Sequence, residues 1–156
     1  EKDKKINFHL LIDKILSNHY FFKNADKAVK IVRIDSSLEY ISDEERVSII
    51  LNNLISNAIN FIDITKEEPR IEIDINGDSK QIHIGVKDNG LGMSKDVKVK
   101  AFNMFYRGHK SSDGAGIGLY ILNETVNNLN GRVELLSEQD LFTQVDVYIP
   151  NNIVNR

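Results

Sequence analysis

Asp88 and two nearby glycines place a carboxylate beside main chain that carries no side chains. The segment "DNGLGM", residues 88–93, follows a run of alternating apolar residues and contains Gly90 and Gly92. An ordinary Asp-Asn-Gly turn explains Asp88 to Gly90, because these residue types favour tight turns. A turn needs only one glycine, so Gly92 requires a further explanation.

Three asparagines share one edge of a helical segment. Asn53 and Asn57 are four residues apart and Asn60 is next along the same face, beside an apolar stripe. Any single asparagine is best explained as a solvated helix edge, whereas two at this spacing beside a glycine-rich loop also suit metal binding through oxygen. Mg²⁺ fits, because it takes few protein oxygens and completes its shell with phosphates and water.

The glycines of "GAGIGL" precede or open the last predicted helix, at Gly114, Gly116 and Gly118. The exposed N–H groups and the dipole of a helix start favour an anion, and glycines let phosphate oxygens approach them. Alone this signal is weak, because glycines often begin a helix after a loop. It is neither the dinucleotide fingerprint nor a GxxxxGK[ST] phosphate loop.

The helices that must position these groups are indicated by apolar spacing. We expect a strand at "INFHLL" (6–11), a helix within 10–28, and a strand at "VKIVRI" (29–34). The next helix begins near Ser42, a plausible N-cap, with Glu45 completing a capping box. Its buried stripe is predicted at Val47, Ile50, Leu51, Leu54, Ala58 and Phe61.

The strands are indicated by strict alternation and turn residues. "RIEIDIN" and "QIHIGVK" flank "NGDS" and predict a hairpin, and an irregular stretch follows from 89 to 114. "GIGLYILNETVNNLN" predicts a helix that ends at Gly131, followed by strands at "RVELL" and "TQVDVYIP". The expected fold class is α/β (α+β): a two-layer sandwich in which a mixed, mostly antiparallel sheet packs against three helices.

Composition excludes several classes of protein. The 156 residues suit one domain, and a net charge of −3 from 20 basic and 23 acidic residues gives no electrostatic footprint for nucleic acid. The absence of cysteine excludes disulfides, and no apolar run approaches the roughly 20 residues that cross a bilayer. We therefore expect a cytoplasmic domain without nucleic-acid or membrane contact of its own, whether or not its parent protein is membrane-anchored.

Four motifs in order resemble the ATP-binding catalytic domain of sensor histidine kinases. "NLISNAINF", "DNGLGM", "FNMFYRG" and "GAGIGLYI" are similar to its asparagine box, first glycine box, phenylalanine box and second glycine box. The wider superfamily includes gyrase, mismatch-repair and heat-shock chaperone ATPases. The resemblance implies a Bergerat-type fold with a long ATP lid over residues 6–150, preceded by a linker remnant at 1–5 and followed by a tail at 151–156.

The resemblance also implies a role for each motif. Asp88 would accept the exocyclic amine of adenine and disfavour the carbonyl oxygen of guanine. Asn53 and Asn57 would hold Mg²⁺, and Arg107 would stabilise the transferring phosphate, which makes Asn53 and Arg107 the candidate catalytic residues. Further candidate nucleotide-binding residues are Asn57, Asn60, Phe61, Gly90, Gly92, Met93, Phe105, Arg107, His109, Lys110, Gly114, Gly116, Ile117, Gly118, Leu119 and Thr143.

Two departures from the family pattern shape the expected mechanism. Asn60 stands where the family commonly has a phosphate-contacting lysine, so Arg107, His109 or Lys110 would have to meet that charge. The second departure concerns the phosphoacceptor. In the family, the phosphate passes to a histidine on a separate dimerisation domain and then to a response regulator. None of His9, His19, His83 and His109 has the acidic neighbour and downstream proline of a phosphoacceptor. We expect a catalytic fragment that is monomeric by itself.

Three alternative functions stay open. A stand-alone ATPase or chaperone-type switch of the superfamily would resemble its relatives in having a glutamate base four residues before the magnesium asparagine, where this chain has Asn53. An anti-sigma-type serine kinase would have a shorter lid without "FNMFYRG". A nucleotide-binding pseudo-kinase or interaction module is suggested only by Asn60.

The substitution Asp88→Asn tests the predicted adenine contact. An amide in this place presents an NH₂ group as well as an oxygen, and we expect nucleotide binding to be largely abolished. Isothermal titration calorimetry with ATP provides the measurement, and an unchanged affinity would refute the role of Asp88.

Overall fold

The computed structural model describes residues 2–20, 22–103 and 118–153. The strands within these ranges are β1 Asp3–Lys5, β2 Val29–Ile34, β3 Ile41–Asp43, β4 Arg70–Gly77, β5 Gln81–Asp88, β6 Arg132–Glu138 and β7 Phe142–Pro150. The α-helices are α1 Phe8–Asn18, α2 Glu44–Asn60, α3 Lys95–Lys100 and α4 Gly118–Asn128, with a 3₁₀ turn at Ala25–Lys27. None of the described helices has both the length and the apolar character needed to cross a membrane.

The main sheet has five strands in the order β2-β4-β5-β7-β6. β2 runs parallel to β4, and the other neighbours are antiparallel, which confirms a mixed, mostly antiparallel sheet. β1 pairs antiparallel with β3 in a separate two-stranded sheet, so residues 3–5 form a strand within the span assigned to a linker.

The core lies between the sheet and its helices. The inward residues of the predicted hairpin are each no more than 3% exposed: Ile71, Ile73, Ile75, Ile82, Ile84 and Val86. The predicted stripe of α2 is also buried, from Val47 to Phe61. Because a fully buried Ile or Leu contributes about 1.5–3 kcal/mol, this interface holds α2 against the centre of the sheet.

The predicted strand at 6–11 is wrong, because α1 begins at Phe8. The Asn7 side chain accepts the Leu10 N–H at 3.1 Å, which satisfies one of the unpaired donors at the helix start. Phe8, Ile12 and Ile15 are buried at helical spacing, whereas Leu10 is 67% exposed. The apolar run is therefore one face of a helix.

The start of α2 differs by one residue from the prediction. Asp43 is the N-cap and accepts the Arg46 N–H at 3.2 Å, whereas Ser42 is buried within β3. The pairing of β3 with β1 extends to Asp43, which moves the first helical residue to Glu44. Helix α3, capped by Ser94, lies within the stretch predicted to be irregular.

Asn130, rather than Gly131, adopts the left-handed conformation that ends α4. Its φ is 61°, and the Gly131 N–H donates to the Val126 carbonyl at 2.9 Å, as in a Schellman motif. Gly131 is required for a different reason. A Cβ on it would lie 2.3 Å from the Tyr148 carbonyl oxygen of β7.

Gly131→Ala should therefore destabilise the fold by about 1–3 kcal/mol, because the added methyl group forces the α4–β6 connection away from β7. Urea denaturation provides the free energy of unfolding. Gly118→Ala is the matched control, since a Cβ there meets only the Asn53 Oδ1 at 3.5 Å. Equal stability of the two variants would contradict this account of Gly131.

Candidate functional site

A row of buried polar side chains crosses three strands. The register places Asp88 of β5 opposite Thr143 of β7, and Thr143 opposite Ser137 of β6. These residues are 3%, 1% and 7% exposed, respectively. The sequence analysis proposed Asp88 and Thr143 but missed Ser137. Its signal was a hydroxyl in the inward register of β6, two residues after Leu135.

Ser137 fixes the direction in which the Thr143 hydroxyl donates. The Ser137 Oγ donates to the Phe142 carbonyl at 2.7 Å, accepts the Met93 N–H at 2.8 Å and lies 2.8 Å from the Thr143 Oγ1. A serine has only one hydroxyl proton, and Ser137 gives it to Phe142, so Thr143 must donate to Ser137. The Thr143 oxygen consequently offers only lone pairs to any further group.

Asp88 has one engaged oxygen and one that remains available. Its Oδ1 accepts the Gly90 N–H at 2.8 Å, whereas Oδ2 receives no hydrogen bond from the described residues. In the described part of the chain, no side-chain nitrogen or oxygen is both fully buried and unpaired. Oδ2 therefore keeps some exposure and can accept a donor from a ligand.

Burial raises the pKa of the Asp88 carboxyl from 3.8 to about 7. The Gly90 N–H and the positive charge of Lys66 act in the opposite direction and favour the ionised form. Near neutral pH, both forms of Asp88 are populated, and the ionised form is the stronger hydrogen-bond acceptor.

The two glycines of "DNGLGM" are required by main-chain packing. A Cβ on Gly90 would lie 1.9 Å from the Phe61 carbonyl oxygen at the end of α2. Gly92 has a φ of +66°, and a Cβ on it would lie 2.1 Å from the Glu138 carbonyl oxygen. The second glycine is thus explained by the close approach of this segment to the β6–β7 turn.

Main-chain hydrogen bonds hold the rest of this segment. The Leu91 N–H donates to the Phe61 carbonyl at 2.9 Å, and the Leu91 carbonyl accepts the Asp140 N–H at 2.7 Å. The Asn89 Oδ1 accepts the Arg70 N–H at 2.7 Å, which joins the segment to the start of β4. The acid at position 88 is therefore presented by a segment fixed to three neighbouring elements.

A second part of the site lies between α2 and α4. The Asn53 Nδ2 donates to the Ile49 carbonyl at 2.9 Å, which leaves its Oδ1 facing Gly118, the first residue of α4. Asn57 is half-buried one turn further along the same face. The described residues contain no cluster of three or more acidic or histidine side chains that could hold a metal ion. The amide oxygens suit Mg²⁺ only if a ligand supplies most of its other oxygens.

The other described candidates lie around these two parts. Met93 and Leu119 are buried, and Asn60 is half-buried at the last turn of α2. Asn60 lines a cavity of about 200 Å³ with Lys23, Asp63 and Leu91, and the lining of this cavity does not include Asp88 or Thr143. The candidates outside the described residues are Phe105, Arg107, His109, Lys110, Gly114, Gly116 and Ile117.

Comparison with known families decides the class of protein. The sequence pattern of the histidine kinase-, DNA gyrase B- and HSP90-like ATPases matches residues 42–153. The chain belongs to this family. The expected resemblance is confirmed, and the domain is an ATP-binding domain of the histidine kinase type.

Sensor kinases are among its curated relatives. A probable C4-dicarboxylate sensor kinase of Halalkalibacterium halodurans is 32% identical over 127 residues, which cover 76% of this chain and 23% of the relative. The sensor protein kinase WalK of Staphylococcus haemolyticus is 26% identical over 156 residues, which cover 96% of this chain and 25% of the relative. The chain thus spans at most a quarter of the length of these relatives.

Solved structures share the fold. The catalytic domain of the histidine kinase ThkA aligns with a TM-score of 0.77 at 20% identity, covering 97% of this chain and 99% of that one. Full-length ShkA, in complex with AMPPNP, aligns with a TM-score of 0.78 at 21% identity, covering 95% of this chain and 31% of that one. These alignments confirm the predicted fold class.

Without nucleotide, Asp88→Asn should stabilise the fold above neutral pH. Because the folded-state pKa of about 7 exceeds the ordinary 3.8, the folded protein binds the additional proton, and stability falls as pH rises through this interval. At pH 8 we expect the variant to gain about 1–3 kcal/mol in the free energy of unfolding. Denaturation at pH 5 and pH 8 measures this effect.

The control for that measurement is Asp13→Asn, which removes an exposed carboxylate from α1. It should not reproduce the stabilisation expected of Asp88→Asn at pH 8, because Asp13 lies on the surface away from the buried polar row. A pH dependence in Asp88→Asn identical to that of the parent protein would show that Asp88 does not titrate near neutrality.

Proposed function

We propose that this domain binds Mg-ATP and donates the γ-phosphate to a histidine on a separate dimerisation and phosphoacceptor domain of its parent protein. The phosphate then passes to a response regulator in two-component signalling. The observation that carries this proposal is the buried Asp88 carboxylate, whose Oδ2 accepts no hydrogen bond from the described residues.

The row formed by Asp88 and Thr143 favours adenine over guanine. The ionised Asp88 offers lone pairs on Oδ2, and the Thr143 oxygen offers lone pairs because its proton is directed to Ser137. The exocyclic amine of adenine supplies the donor that such a site requires. When Asp88 is ionised, the carbonyl oxygen of guanine at the same place would face acceptors only, and a site with unpaired buried polar groups discriminates strongly.

Asn53 and Asn57 are the proposed magnesium ligands. When bound, the ion would neutralise phosphate charge and orient the terminal phosphate for transfer. The hydrogen bond from Asn53 Nδ2 to Ile49 keeps its Oδ1 turned toward the start of α4. Arg107 is the proposed partner of the transferring phosphate, and Asn60 removes one positive charge that the family commonly places on α2.

The described histidines support a phosphoacceptor located elsewhere. His19 is 5% exposed, with its Nδ1 2.8 Å from the Ile15 carbonyl oxygen. His83 lies on β5 with its Nε2 2.7 Å from the Asp146 Oδ1. His9 contacts the Ser36 hydroxyl through its Nε2 at 3.2 Å. His19 in particular is buried at the end of α1 and would have to leave that packing to become accessible.

A stand-alone ATPase is the second candidate, and the environment of Asn53 argues against it. An amide cannot accept a proton at neutral pH, and the Asn53 Nδ2 is already engaged with Ile49. Hydrolysis without a phosphoacceptor should therefore be slow. A pseudo-kinase that only binds nucleotide would show affinity without transfer.

Asn57→Ala tests the proposed metal ligands. We expect the affinity for ATP in the presence of Mg²⁺ to fall at least about tenfold, with a much smaller effect in EDTA, because only the metal-dependent contact is lost. Asn52→Ala is the matched control, since Asn52 is exposed on the same helix. Equal losses with and without Mg²⁺ would contradict metal ligation by Asn57.

Phosphate transfer separates the candidate functions. With the helical domain of the parent protein supplied and radiolabelled γ-phosphate on ATP, we expect acid-labile label on that domain and little free phosphate in its absence. Mg-ATP should bind more tightly than Mg-GTP. Rapid hydrolysis without the helical domain would favour the ATPase, and tight binding without transfer would favour the pseudo-kinase.

A further inference from the structure

Lys66 joins the two chain segments that carry the polar row. It lies in the loop between α2 and β4, and its Nζ donates to the Gly90 carbonyl at 3.1 Å and to the Leu141 carbonyl at 3.1 Å. Gly90 follows Asp88 by two residues, and Leu141 precedes Thr143 by two. A single ammonium group therefore bridges the main chain on both sides of the site.

We infer that Lys66 is a positioning residue for the nucleotide site: its ammonium fixes the Asp88–Met93 segment to the β6–β7 turn and places a positive charge beside the carboxylate that would receive adenine. This inference rests on the proposed function. Sequence analysis gave no reason to select Lys66 among the basic residues, because its partners are main-chain carbonyls remote in sequence.

Within the described part of the chain Lys66 forms no ion pair, although its charge also acts on the Asp63 carboxylate and lowers the pKa of that group. Among the described residues, no carboxylate lies within salt-bridge distance of its Nζ, and its hydrogen bonds go to neutral carbonyls. Lys66 is also the described charged group whose field acts on Asp88; the other neighbours in the row, Thr143 and Ser137, are uncharged. Its field favours the ionised carboxylate, which is the stronger acceptor.

The loop that carries Lys66 is itself organised by side-chain hydrogen bonds. The Asp63 Oδ1 accepts the Thr65 N–H at 3.0 Å and the Thr65 hydroxyl at 2.6 Å, and these bonds hold the pKa of Asp63 below its ordinary value. The Lys66 N–H donates to the Asp63 carbonyl at 3.2 Å. This turn fixes the main chain at Lys66, so that only the side chain remains to be ordered when the bridge forms.

The test compares three substitutions at position 66. Lys66→Met removes the donors and the charge, Lys66→Gln removes the charge but keeps an N–H donor, and Lys66→Arg keeps both. Lys14→Met, at an exposed position of α1, removes one positive charge away from the site and is the matched control. Thermal denaturation of each variant checks that the fold persists.

Two readouts are required. Carbon NMR of the Asp88 carboxyl in the ligand-free protein measures its titration midpoint, and calorimetry measures Mg-ATP affinity between about pH 6 and pH 9. In Lys66→Met and Lys66→Gln, we expect the midpoint to rise by roughly 0.5–1 pH unit. Mg-ATP affinity at pH 7 should fall about two- to sixfold, in proportion to the ionised fraction of Asp88, with the loss diminishing at higher pH. Lys66→Arg and Lys14→Met should match the parent protein.

The outcomes separate this inference from the proposed function. An unchanged Asp88 midpoint in Lys66→Met would overturn the electrostatic role, even if affinity fell, because a purely structural defect would lower affinity equally at every pH. Failure of Lys66→Arg to restore the midpoint would do the same. If the midpoint shifts as expected but the parent protein does not bind Mg-ATP, the role of Lys66 is supported and the nucleotide function is contradicted.

Discussion

A carboxylate that leaves water is destabilising unless other hydrogen-bond donors replace the lost solvent. Asp88 is 3% exposed and receives one such donor from the described residues, the Gly90 N–H, which leaves its second oxygen available to solvent or a ligand. Because the solvation of this carboxylate is incomplete, a ligand that supplies the missing donor is bound more favourably. The same incomplete solvation raises the pKa of Asp88, because it disfavours the ionised form.

The surroundings of Asp88 keep that incomplete arrangement in place. The Asp88–Met93 segment cannot move toward another donor, because its main chain is bonded to the end of α2 and to the β6–β7 turn. Gly90 and Gly92 permit these close approaches, and Ser137 accepts the Met93 N–H while committing the Thr143 proton. The rigidity of this end of the sheet is therefore what makes an acceptor-rich site selective for a donor.

The proposed phosphate end of the site depends on uncharged side chains of α2. Asn53 and Asn57 are neutral and lie beside the buried stripe of α2, so they are well fixed but supply no charge to an anion or a cation. Under the proposed function, the contribution of these two asparagines to affinity would come through a metal ion that arrives with its phosphates. In the function that we propose, the rigid sheet end would recognise the base and the helix face would orient the metal-bound phosphates.

The sequence determined the family, the hairpin, the buried stripe of α2 and the candidate residues Asp88, Asn53 and Asn57, because periodicity and motif order are local properties of the chain. It misassigned the start of α1, where the apolar face of a helix resembles a strand, and the N-cap of α2, where Ser42 and Asp43 are adjacent candidates. Only the tertiary structure brought Ser137 to Met93, 44 residues away, and Lys66 to Leu141, 75 residues away. It also explained Gly92, which closely approaches the main chain of Glu138. Strand register and main-chain contacts between distant segments produce no periodic pattern in the sequence, so they could not be predicted from it.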